Sequence, residues 1–215
     1  MNSPTENHEG ILLRIRKSGE KGKLADIFTA DKGRISVYIP KNVILKCGSG
    51  GMLPLTFLNL TVMKTGEYRV AVQYEGRSFF NILSLSYEEM QCWYYVIELT
   101  EELFPEEQGD FGAYQILNRG SSEAKERNKT VTALIVSIKL LAEAGFDPAA
   151  AETVKMAEIS EAAKKLLHDF SVHDWKSGFD EAIKVKTFKE IARYIDTFIT
   201  RYCDVELKTK GAFLQ

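Results

Sequence analysis

Apolar and polar positions alternate with a period of two through the first third of the chain, then switch to a helical period near residue 80. Ile11, Leu13 and Ile15 alternate with Leu12, Arg14 and Arg16, which predicts a strand over 10–17. Gly19-Glu20-Lys21-Gly22-Lys23 predicts a hairpin turn, and Leu24 to Ala30 the return strand. After Asp31-Lys32-Gly33, Ile35, Val37 and Ile39 alternate with Arg34, Ser36 and Tyr38 until Pro40, which cannot donate to a ladder. Residues 46–51, KCGSGG, read as a loop. Leu58, Leu60 and Val62 share one face of a run over 54–64. Lys64-Thr65-Gly66-Glu67 turns the chain, and Tyr68, Val70, Val72 and Tyr74 then oppose Arg69, Ala71, Gln73 and Glu75. Five short strands so spaced suit a small closed barrel, because closure leaves no unpaired edge. The expectation is an α+β protein: a five-stranded OB-fold barrel over 1–80, followed by an all-α helical domain over 81–215.

In the helical part, Ser86-Tyr87-Glu88-Glu89 has the form of a capping box and predicts a helix to about Leu103, stopped by Pro105. Glu98, Glu101, Glu102, Glu106 and Glu107 read as the solvated face of that helix and its exit loop. Residues 105–130 are polar and glycine-bearing and predict one short helix and a loop. Val131 to Ala144 predicts an apolar helix with Gly145 just past its end. Ser160 is placed to cap a helix reaching His168. Thr187-Phe188-Lys189-Glu190 predicts a second capping box, opening a helix to about Cys203.

Charge divides along the same line. Residues 1–80 hold 12 Lys/Arg against 7 Asp/Glu, whereas residues 81–215 hold 16 against 23. A basic β-module on an acidic helical body points to a binding protein whose anionic ligand meets the β part. No apolar run approaches the ~18–20 residues of a membrane span, so no membrane contact is expected. The polar start, MNSPTENHEG, shows no secretory signal. Cys47, Cys92 and Cys203 lie far apart, cannot form a four-thiolate zinc site alone, and read as reduced thiols.

Gly48-Ser49-Gly50-Gly51 lacks the Lys and hydroxyl that complete a phosphate loop, since Met52-Leu53-Pro54 follows. His168-Asp169 and His173-Asp174 are spaced by five, which turns the two histidines about 140° apart on a helix, and His8 lies in a terminus expected to fray. Neither pattern supports metal, cofactor or enzymatic chemistry. The basic positions of the β-module carry the stronger signal. Arg14, Arg16, Lys17, Lys21 and Lys23 occupy the first strand and hairpin; Lys32, Arg34, Lys41 and Lys46 flank the third strand. Tyr38 shares a face with Arg34. Cations that follow a backbone, with an aromatic ring for stacking, are what a single nucleic-acid strand needs. Lys and Arg that merely solubilise a small barrel are the plainer alternative.

The ordered residues resemble the RecO family of bacterial recombination mediators. Gly10-Ile11-Leu12-Leu13-Arg14, Gly19-Glu20-Lys21, Ile27-Phe28-Thr29 and Lys32-Gly33-Arg34 are similar to its opening. Leu53-Pro54-Leu55-Thr56 resembles its Pro-Phe-Thr stretch, and Tyr94 to Thr100 with Leu103-Phe104-Pro105-Glu106 resembles its first long helix. Leu140 to Pro148 is similar to an apolar helix ending in Gly-Tyr-x-Pro, and Leu207-Lys208-Thr209-Lys210 to its Leu-Lys-Ser tail. The resemblance spans nearly the whole chain. It implies an OB fold with a helical domain, binding of single- and double-stranded DNA, strand annealing, and help in loading RecA onto DNA coated by single-strand-binding protein (SSB). It implies RecR and the acidic SSB C-terminal tail as partners, and a place in the bacterial cytoplasm at the nucleoid. Three features depart from the family. No cysteine falls in 147–159, so no zinc is expected. A basic Gly-Ala-Arg-Lys loop is replaced by Pro40 to Lys46. Ile135-Val136-Ser137 stands where the family has Arg-Phe-Glu, which leaves Lys129 and Lys139 as candidate cations for the SSB tail. The expected DNA contacts are Arg14, Arg16, Lys21, Lys23, Lys32, Arg34, Tyr38, Lys41 and Lys46. An OB-fold protein-interaction adaptor with little DNA contact is the rival expectation.

Overall fold

A computed structural model describes residues 5–48, 52–66, 68–176 and 182–215. Five strands close a barrel in the order β1-β2-β3-β5-β4: β1 (Thr5–Ser18), β2 (Gly22–Thr29), β3 (Gly33–Pro40), β4 (Thr56–Thr65) and β5 (Tyr68–Ser78). Neighbours are antiparallel except β3 and β5, which run parallel through Val37↔Arg69 and Tyr38↔Val70. With a helix, α1 (Lys41–Cys47), inserted between β3 and β4, this is the expected OB-type barrel. Leu12, Ile27, Val37, Leu58 and Val62 fill the interior, and α1 contributes Val43 to it. The helix stands where the sequence pattern showed only the residues leading into a loop; one buried residue in seven leaves too faint a periodicity to read. The glycine-rich stretch reaches the described residues only at Gly48, whose carbonyl accepts from the Tyr74 hydroxyl; residues 49–51 lie outside them.

Two bulges change which side chains face inward. In β1 the register passes from Leu12↔Ile27 to Arg14↔Asp26, leaving Leu13 as the extra residue. Leu12 therefore joins the barrel core, whereas Ile11 and Leu13, expected to share a face with Ile15, are buried outside that cluster. In β5 the register passes from Thr61↔Gln73 to Val62↔Ala71, so Val72 is the extra residue. Tyr68 and Val72 are exposed, while Arg69 and Ala71 are buried. β1 also begins earlier than expected: His8 is no frayed residue but pairs with Leu60 and is 4% exposed.

The chain forms two compact units, and their boundary differs from a single cut near residue 80. The first comprises residues 1–84 and 104–125; the second comprises 85–103 and 126–215. The return to the barrel is made by Phe104, whose ring meets Phe28 edge-on at 5.7 Å, and by α3 (Phe111–Glu123), which packs on β1. Asp110 caps α3 by accepting from the Ala113 amide at 2.8 Å.

The second unit is built on α2 (Tyr87–Leu103) packed against α4 (Lys129–Glu143). Ser86 and Glu89 form the reciprocal capping box, with Glu89 N donating to Ser86 Oγ and Ser86 N to Glu89 Oε2. α4 ends as expected, with Gly145 at φ 88 and the Gly145 and Phe146 amides donating to Ala142 and Leu141. Then follow α5 (Ala151–Met156), α6 (Glu161–Val172) and α7 (Val185–Phe198), which continues into a π-helical turn over Ile199–Cys203. α6 runs past His168, because Phe170 is buried and carries the apolar stripe one turn further. Glu190 opens no helix; it reaches the start of α6 instead, accepting from Ser160 N and Oγ at 2.7 and 2.8 Å.

Candidate nucleic-acid interface

The predicted cations of the first unit fall at opposite ends of the barrel. β2, at about 3.3 Å per residue, separates its first and last residues by about 23 Å. At the hairpin end lie Lys17, Lys21 and Lys23, with Arg14 and Arg16 further along β1. Lys41 joins them because its amide donates to the Lys21 carbonyl at 2.8 Å, where α1 starts. At the far end lie Lys32, in the turn between β2 and β3, and Arg34.

The hairpin end carries a positive excess, with the exposed Glu20 of the turn set against Lys17, Lys21, Lys23 and Lys41. Lys17 and Lys23 are directly cross-strand partners, a like-charge pair that destabilises a ladder unless an anion lies between. Lys21 and Lys41 are exposed. Lys46 belongs less closely to this group: five residues after Lys41 it sits about 140° around α1. It lies in the last turn, where its charge suits the helix C-terminus. Lys17 is the member that sequence reasoning noticed but did not place among the contacts; its pairing with Lys23 follows from the turn over residues 19–21 that joins β1 to β2.

On the outer face of β1, β2 and β3 the picture is mixed. Arg14 is exposed opposite Asp26, and Arg16 donates to Asp26 Oδ2 at 2.8 Å. Asp26, only 6% exposed, also accepts from Ser36 Oγ at 2.7 Å. A carboxylate thus sits in the middle of the face on which OB folds bind strands. Tyr38 is half-buried beside it, and its phenol end lies against Gly22: a Cβ there would meet the hydroxyl at 2.6 Å. The ring covers a glycine, so part of its surface is used within the sheet.

The far end is electrically balanced. Arg69, which sequence reasoning placed among the polar residues of a strand, is 5% exposed and gives a bidentate pair to Glu107, at 2.5 and 2.8 Å. That hydrogen bond, with burial opposing it, raises the Arg69 pKa and holds Glu107 below the usual carboxylate range. Arg34 faces Glu106 at 3.7 Å, and its carbonyl accepts from Glu107 N. Glu106 and Glu107 lie in the solvated exit loop that was expected, and they are also partners of barrel arginines. His8 lies between Glu6 and Asp31, at 3.2 and 3.4 Å.

Lys129 and Lys139 of the second unit are not brought together. Ten residues apart on α4, they are separated by about 15 Å along its axis. Lys139 is half-buried and donates to the Ser171 carbonyl at 2.8 Å near the end of α6; burial lowers its pKa. It serves a helix terminus and does not present an open cation. Near Lys129, Arg127, Val131, Ile135, His173, Trp175 and Ile183 line an open cleft at the start of α4, across which Arg127 Nη2 donates to the Trp175 carbonyl at 2.7 Å.

Among the described residues no cluster of His, Cys, Asp or Glu could hold a metal. Burial pushes the Cys92 thiol up to about 12 and Cys203 up to about 11, which suppresses thiolate chemistry. Among the described residues no helix is long and apolar enough to cross a membrane. No protein-family model matches the chain, and no curated protein matches it.

Proposed function

We propose that this protein is a RecO-like DNA-binding mediator. In this reading it binds single- and double-stranded DNA, anneals complementary strands and, with RecR, assists the loading of RecA onto SSB-coated DNA. The single observation that carries the reading is the cationic hairpin end of the OB barrel, where Lys17 faces Lys23 beside Lys21 and Lys41. Two ammonium groups held opposite each other favour a ligand that places negative charge between them. Phosphates of a strand lying across the hairpin would do so, and a second strand would then meet less repulsion from the first. Arg14 and Arg16 extend the positive surface along β1, with Asp26 setting its inner limit. No bond-making chemistry is required of the protein. The SSB tail is assigned to the cleft lined by Arg127 and apolar walls, with Lys129 following it in sequence.

The adaptor reading is favoured by one specific observation: Asp26, Glu106 and Glu107 occupy much of the surface that an OB barrel offers to a strand. Fluorescence anisotropy with a labelled oligonucleotide separates the two. The mediator reading expects affinity that falls with salt, with a log–log slope of about −0.7 for each phosphate neutralised. It also expects Lys21→Glu/Lys23→Glu to reduce affinity about tenfold or more at low salt while melting as the parent does. Binding that ignores salt, or a charge-reversed variant with unchanged affinity, would leave the adaptor reading.

A further inference from the structure

The segment from Phe104 to Gly109 lies along β3 where β5 does not reach. β5 joins β3 at Val37 and Tyr38, so the edge at Gly33 to Ser36 would otherwise be open. The segment pairs there, with Glu106 bridged in parallel to Arg34 and Glu107 N donating to the Arg34 carbonyl at 3.0 Å. It approaches closely: a Cβ on Gly33 would come within 1.9 Å of the Gln108 carbonyl oxygen, and one on Gly109 within 2.4 Å of that of Asp31.

Beneath this strap the barrel holds two guanidinium groups with more donors than the strap satisfies. Arg69 uses both terminal nitrogens on Glu107, but its buried Nε lies 3.9 Å from Glu6 and has no hydrogen-bond acceptor among the described residues. The buried Nε of Arg34 likewise has none, and its Nη2 stands 3.7 Å from Glu106, beyond hydrogen-bond reach. A carboxylate and a phosphodiester present two oxygens to an arginine fork in the same way. Both strap carboxylates are more than half exposed, so an incoming anion can compete for their positions from solvent. Glu107 sits at φ 60, a backbone region that L-residues seldom occupy, so the paired state holds a strained residue. Lys32 and Lys64 lie near enough to help depress the Glu107 pKa, so the surroundings favour negative charge at this position.

We propose that Arg34 and Arg69 form a second phosphate site for a nucleic-acid strand, occupied within the chain by Glu106 and Glu107 and opened when the strap is displaced. The ligand class rests on the nucleic-acid reading above; Arg34 is among its expected contacts, whereas Arg69 and the competing Glu106 and Glu107 are not. The hairpin end would capture the strand, and the strap would set how much further it extends.

The test uses the full chain. Glu106→Gln/Glu107→Gln removes the competing charges, Glu106→Asp/Glu107→Asp keeps them, and Glu9→Gln/Glu75→Gln makes the same change in net charge elsewhere on the barrel. Binding of a labelled oligothymidine is followed by anisotropy across a salt series. The strap variant is expected to bind about tenfold more tightly than the parent at low salt, with a slope steeper by about 1.4, or two further phosphates. The Asp variant should match the parent, and the Glu9/Glu75 variant should gain less than the strap variant. An equal gain in the Glu9/Glu75 variant, or a folded strap variant with parental affinity and slope, overturns the proposal. Should the strap variant fail to fold, hydrogen exchange of the parent decides. Saturating oligonucleotide should speed exchange of the Glu107 amide, and unchanged or increased protection overturns the proposal. A parent that binds through its hairpin lysines while the strap variant gains nothing removes this site and leaves the nucleic-acid reading intact.

Discussion

Two glutamates that look alike in the sequence do different structural work. Glu98 is 9% exposed and accepts from Lys208 N, Thr209 N and Thr209 Oγ1 at 2.6 to 2.9 Å. Burial alone would raise its pKa, but those donors outweigh it and hold the carboxyl low. Glu98→Ala would leave two amides of the C-terminal segment without acceptors, and a loss of about 2–3 kcal/mol is expected by denaturant titration. Glu107 is held low by Arg69. A carboxylate whose folded pKa is depressed stabilises the folded state above its unfolded pKa, and loses that contribution as pH falls through the folded value. Melting temperatures of the parent and Glu107→Gln should therefore differ most near neutral pH and converge in acid. A constant gap across that range would mean that the Arg69 pair contributes nothing through charge. Neither role was legible in the sequence, because helical periodicity places Glu98 and Glu107 on or beside a polar face, and their partners lie far along the chain. The basic residues of the hairpin were legible, since a two-residue period and a glycine turn fix their neighbours locally.

Among the elements, those with local signals were the readable ones. Ser86 and Glu89 are three residues apart and satisfy each other's donors, so the start of α2 follows from four consecutive residues. Ser86→Ala should cost about 1 kcal/mol in thermal or chemical denaturation, and no change would show that the start of α2 is held by packing alone. Thr187 and Glu190 have the same spacing, yet Glu190 caps α6 through Ser160. A capping box is decided by which free amides lie within reach, and only the folded chain supplies that. The strands show a related limit. Alternation predicted all five, but the extra residues Leu13 and Val72 each reverse the inward face partway along a strand. Nothing local marks either bulge: both are ordinary apolar residues in apolar runs. The hairpin end escapes this limit, since the turn alone places Lys17 opposite Lys23. Even the unremarkable tail, Leu207 to Leu214, is an element by virtue of its partners. Phe213 meets Tyr95 edge-on at 5.0 Å, Gly211 N donates to Asp196, and Lys189 Nζ donates to the Leu214 carbonyl.

For the molecule as a whole, charge divides near residue 80, whereas the compact units interleave between residues 84 and 126. Residues 104–125 carry part of the acidic composition and belong with the barrel. Two of the five excess positive charges of residues 1–80 are thus met within the same unit by Glu106 and Glu107, while the hairpin end keeps its own. A fragment ending at Phe80, which the sequence pattern suggests as a complete barrel, lacks Phe104 over Phe28 and the segment bridged to Arg34. It should melt well below the full chain's barrel, or aggregate through its open β3 edge, when followed by circular dichroism and light scattering. A fragment as stable as the barrel in the intact chain would show that the returning segment adds nothing to the fold.

That return has a consequence for how the molecule is made. Synthesis runs from the N-terminus, so all five strands leave the ribosome before the piece that covers β3 emerges. Meanwhile Leu85 to Leu103 has no partners, because α4 and the C-terminal segment come later still. The nascent chain must carry an uncovered sheet border and an unsheltered apolar helix together. That interval is when a chaperone, or a second nascent copy, would find most to hold.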